Sequence, residues 1–99
     1  MAGQYHEPYD ALSKKTKELH RAYASLVEEI EAIDWYQQRI DVTADDSLRK
    51  ILEHNRDEEK EHASMLLEWV RRNDETFARE MKTYLLGDRN DPGDPYSIS

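Results

Sequence analysis

The stretch LRKILEHNRDEEKEHASMLLEWV, residues 48–70, decides how this chain folds. Leu48, Leu52, Leu66 and Trp69 recur in steps that keep them on one side of a helix. The same line passes through Asn55, Glu59 and His62. A carboxylate and an imidazole therefore hold two consecutive places in a seam that ought to be apolar. An unpaired carboxylate is costly to bury, so Glu59 and His62 require a partner. A metal ion suits both groups on one helix face.

Moving outward, this helix is expected to run from about Asp46 to Arg72, with Arg71 and Arg72 complementing the C-terminal end of its dipole. Before it, Asp41-Val42-Thr43-Ala44-Asp45-Asp46 breaks the pattern, and both Thr43 and Asp45 suit an N-cap. Further back, Leu12, Leu19, Tyr23, Leu26, Ile30, Ile33 and Ile40 form a second helical stripe. Pro8 fits the first turn of that helix, which would be roughly 50 Å long. Beyond Asn73-Asp74, a cap or bend, Phe77, Met81, Tyr84 and Leu85 mark a short third helix that Gly87 is placed to end. The expected organisation is a loose N-terminus over 1–7, one helical domain over 8–86 and a flexible tail over 87–99. No strand pattern or internal repeat is present.

The 99 residues allow one small domain with a thin core. There is no cysteine, which removes disulfides and thiolate metal sites. The net charge of −8 argues against nucleic acid and anionic membranes as partners, and attracts cations. No apolar run reaches membrane-spanning length and no secretory signal is visible, so a cytoplasmic setting is expected.

Two long helices joined by a short connection lie antiparallel. Their stripes cover each other on one side only. The fold class expected is therefore all-α: an antiparallel two-helix hairpin plus a short C-terminal helix, with two hairpins dimerising into a four-helix bundle. Carboxylate-bridged two-metal bundles use two Glu-x-x-His helices and two helices that each add one Glu. The first helix offers Glu28, Glu29 and Glu31. At 100° per residue, Glu28 points almost opposite the stripe and Glu31 well to one side. Glu29 lies on the stripe's flank, stacked with Ala22, Leu26, Ile33 and Tyr36. The expected site is Glu29, Glu59 and His62 from each of two chains, around two metal ions. Four carboxylates balance two divalent cations. The donor set suits iron or manganese, with zinc also admissible. Tyr36 or Asn55 can orient ligands from outside the coordination sphere. Glu28, Glu31 and Trp35 share the other face of helix one, which reads as an ordinary amphipathic surface, a cation entry site or a second interface. His54, Glu58 and Glu61 read as a solvated outer face.

Glu28-Glu29-Ile30-Glu31-Ala32-Ile33-Asp34-Trp35-Tyr36-Gln37-Gln38-Arg39, together with His54-Asn55-Arg56-Asp57-Glu58-Glu59-Lys60-Glu61-His62-Ala63, resembles the encapsulated ferritins, as does Leu67-Glu68-Trp69-Val70-Arg71-Arg72-Asn73. The resemblance covers about residues 6–86. It implies a ferritin-like four-helix bundle made from two chains, with a di-iron ferroxidase centre at the dimer interface. It implies five dimers in a ring-shaped decamer that oxidises Fe(II) to Fe(III) with O2. The product is stored by an encapsulin nanocompartment around the ring. The resemblance places the ligands on Glu29, Glu59 and His62. It puts a secondary metal site on Glu28 and Glu31 beside Trp35, with Trp35 and Tyr36 in supporting positions. Iron is the expected metal, with calcium, zinc or manganese as its substitutes. Members carry a C-terminal docking peptide. The sequence here closes on Tyr96-Ser97-Ile98-Ser99 without an apolar docking motif, so the shell partner is implied by the folded part alone. The alternative function is a non-catalytic helical assembly module with a structural metal at the dimer interface.

Overall fold

A computed structural model describes residues 4–85. A 3₁₀ turn at Tyr9–Ala11 precedes helix α1 (Lys14–Val42), helix α2 (Asp46–Asn73) and helix α3 (Glu75–Tyr84). There is no strand among the described residues. Gly87 and the expected tail lie outside them.

Pro8 does not open α1, as its position in the sequence suggested. Its carbonyl accepts from the Ala11 N–H at 3.0 Å and closes a single 3₁₀ turn. Leu12 then becomes extended, and Ser13 caps α1 by accepting from the Thr16 N–H at 3.1 Å. A serine at this place satisfies a helix-end donor that no backbone carbonyl can reach. The lead-in is tied to α1 by its aromatic residues: the Tyr5 ring stacks on His20 at 4.0 Å, and the Lys17 ammonium sits 3.9 Å above the Tyr9 ring.

The connection between the long helices divides its two candidate caps. Thr43 ends α1, donating its hydroxyl to the Arg39 carbonyl at 2.5 Å. Asp45 begins α2, accepting from the Leu48 N–H at 2.9 Å and the Ser47 hydroxyl at 2.6 Å. Those bonds, the Ser47 hydroxyl first, hold the Asp45 carboxyl below the usual range. Asp74 caps α3 through the Phe77 N–H.

Two compact units divide the chain after Leu67. In the first, α1 and α2 run antiparallel: Glu29 faces His62, while Gln37, later on α1, faces Arg56, earlier on α2. The covered face of α1 is Ala22, Leu26, Glu29, Ile33, Tyr36 and Ile40. Glu29 is thus in the middle of that face rather than on its flank, and Ile30, assigned to the stripe, is 55% exposed. The sequence carries two overlapping apolar lines, and one neighbouring helix can cover only one. On α2 Leu52, Asn55, Glu59, His62 and Leu66 of the expected seam are half-buried, its ends Leu48 and Trp69 are exposed, and a covered line through Leu52, Arg56, Glu59 and Ala63 runs beside it. In the second unit, Val70 and Met81 are buried.

Candidate metal centre

Glu29 lies well inside α1, about two turns before Tyr36, and Glu59 and His62 share one turn of α2. Glu59 and His62 are three residues apart, which stacks them on neighbouring positions of one face. His62 Nδ1 lies 3.5 Å from Glu59 Oε2 and 3.6 Å from Glu29 Oε2. One ligand atom from each of the three lies within 4.8 Å of the others. Two donors bonded about 2.1 Å from a common ion stand roughly 3–3.5 Å apart, so this spacing fits shared coordination.

The electrostatics agree. Both carboxylates are mostly covered, while the His62 side chain is 42% exposed. Among the described residues, neither carboxylate has a lysine or arginine within ion-pair distance. Glu29 Oε2 is buried and accepts no hydrogen bond. An orphaned carboxylate oxygen normally costs stability, of order 1–3 kcal/mol or more. Its retention beside a second carboxylate and an imidazole is what a cation-binding site requires, and the residues present fit a divalent ion.

Residues 4–88 match the sequence profile of the EncFtn-like family. The chain belongs to the EncFtn-like family. A ferritin-like protein of Thermotoga maritima is 56% identical over 90% of this chain and 78% of its own length. An encapsulated ferritin-like protein of Rhodospirillum rubrum is 56% identical over 82% of this chain, which spans 58% of that relative. A crystal structure of a Nitrosomonas europaea protein superposes with a TM-score of 0.81 at 55% identity, covering 85% of this chain and 92% of that one. The resemblance to encapsulated ferritins and the all-helical, ferritin-like fold are thereby established for this chain.

Within this EncFtn-like chain the other expected site residues are placed differently. Glu28 and Glu31 are exposed and join no group of three ligands among the described residues. Trp35 is exposed and lines a shallow depression with Gln38 and Arg39. Tyr36 is half-buried, and the Arg39 guanidinium lies 5.5 Å from its ring centre. Asn55 is half-buried on the flank of α2. His54 Nε2 meets Glu58 Oε1 at 2.5 Å on an exposed face. Arg56 was missed by the sequence reading. Its signal was available in the line Leu52, Arg56, Glu59, Ala63, where an arginine replaces an apolar residue.

Proposed function

We propose that the chain is a ferroxidase, oxidising Fe(II) to Fe(III) with O2 at a di-iron site that two chains complete. The observation that carries this reading is the convergence of Glu29, Glu59 and His62 around the buried, unbonded Glu29 Oε2. Iron is the substrate: carboxylates and imidazole hold Fe(II) without quenching its redox chemistry. Electrons pass from Fe(II) to O2, which takes up protons. Glu29 and Glu59 provide negative charge that favours Fe(III) over Fe(II), and His62 provides a neutral donor on the open side.

A single chain supplies three ligands and leaves the apolar side chains of Val27, Ile30 and Met65 exposed. Ile30 and Met65 neighbour Glu29 and His62 in sequence and on their helices. A two-fold partner laid on this side covers the apolar groups and supplies the second set of three ligands. Four carboxylates then face two divalent ions. Assembly of such dimers into a ring-shaped decamer, and residence inside an encapsulin nanocompartment in the cytoplasm, extend the reading. The family and the R. rubrum relative's name support the encapsulin setting. The secondary positions Glu28, Glu31 and Trp35, with Tyr36 in a supporting role, belong to the same proposal.

The test is aerobic Fe(II) oxidation followed by Fe(III) absorbance. Glu59→Ala and His62→Ala should reduce the initial rate at least about a hundredfold, as removal of a ligand does not leave an equivalent site. Metal-dependent assembly with no turnover above the background rate would establish the structural-metal alternative instead.

A further inference from the structure

We propose that Arg56 is a positioning residue which, through Gln37, fixes the register of α1 against α2 and thereby tunes the metal centre; the inference rests on the metal-site reading above. Arg56 occupies the covered line of α2, one turn before Glu59, with its side chain only 20% exposed. A guanidinium is tolerated there because it is hydrogen-bonded. Its Nη1 donates to Gln37 Oε1 at 3.0 Å, and its Nε donates to Asp57 Oδ1 at 3.1 Å. The Gln37 amide is itself oriented, since its Nε2 donates to Asp41 Oδ1 at 3.2 Å. The result is a chain of four side chains, Asp41, Gln37, Arg56 and Asp57, crossing from one helix to the other.

Register matters because the ligands come from both helices. Among the described residues of this unit Ala22, Ile40 and Ala63 are the buried apolar ones, and apolar contact has no direction. A slip of one helical turn moves Glu29 by about 5.4 Å, more than the 4.8 Å span of the ligand atoms. Functional constellations need placement to within about half an ångström. The Arg56–Gln37 bond is directional and lies eight residues from Glu29 on α1, about 12 Å along the helix. It therefore forms a second fixed point, which together with the Glu29–His62 approach defines how the helices lie.

The test titrates the 99-residue chain with Co(II), whose visible absorption reports both affinity and coordination geometry. Gln37→Leu and Arg56→Met should each weaken Co(II) binding about tenfold and alter the spectrum, and the double variant should be no worse than the weaker single one. Arg56→Lys, which keeps the charge and a donor for Gln37 Oε1, should bind more nearly as the parent does than Arg56→Met. The sign for Arg56→Met is informative: removing a positive charge near two carboxylates strengthens cation binding by Coulomb attraction alone, so weaker binding reports position. Parent-like affinity and spectra in Gln37→Leu, an exposed position whose helicity circular dichroism can verify, would overturn the inference. Additive losses in the double variant would do the same. Failure of the parent chain to bind Co(II) would overturn the metal-site reading itself.

Discussion

Glu29 carries a cost that the proposed metal centre would offset. Its Oε2 is buried without a hydrogen bond, close to the imidazole it shares with Glu59. Glu29→Gln replaces that oxygen's charge by an amide able to donate to its neighbours. The metal-free variant should melt higher by about 4–8 °C, corresponding to about 1 kcal/mol in a domain of this size, while its metal affinity falls. A scan with chelator present measures the first, and an unchanged or lower midpoint would contradict it. At this scale the meeting of Glu29, Glu59 and His62 was legible, because three-residue spacing and 100° rotation place side chains without knowledge of the partner helix. Arg56 was not legible. Its role depends on what α1 presents opposite it, and a charged residue in a charged run reads as solvated surface.

Each helix starts where a side chain takes over an orphaned N–H group: Ser13, Asp45 and Asp74. Asp74→Ala removes the α3 cap and should cost about 1 kcal/mol, lowering the melting temperature by several degrees with the metal binding proposed for the first unit unaffected. Near the end of α2, Glu68 accepts from Arg71 at 2.7 and 2.6 Å and from Arg72 at 2.8 Å. These bonds, Arg71 foremost, hold its carboxyl at about 2. A depressed carboxylate contributes stability that is present above its ordinary value of 4.5 and lost as pH falls towards 2. Glu68→Gln should therefore melt slightly below the parent at neutral pH and converge with it near pH 2–3. High salt should shrink the neutral-pH gap, as the group is exposed. Thr43 and Asp45 show where element boundaries escape the sequence. Both suit a cap, and only the path of the backbone assigned one to the end of α1 and the other to the start of α2. Pro8 is similar: its ring fits a helical turn or a 3₁₀ turn, and the Ser13 cap decided which.

For the whole molecule, the decisive quantity is uncovered apolar surface beside the three candidate ligands. Val27, Ile30 and Met65 remain exposed in the single chain. Ile30→Glu places a charge in the proposed two-fold contact without touching a ligand. It should shift the chain to monomer in sedimentation and lower Fe(II) oxidation in parallel, with helicity retained; full activity from a monomer would remove the need for a second chain. By itself the sequence determined the all-helical class, the two long helices and their short companion, and the three residues that meet. Those follow from local periodicity, turn-forming residues and fixed helical rotation. The tertiary structure decided which of two apolar lines on α1 is covered, that Glu29 stands at its centre, and that Arg56 joins α2 to Gln37. Each depends on side chains far apart in the chain coming together, and helical periodicity constrains one helix at a time.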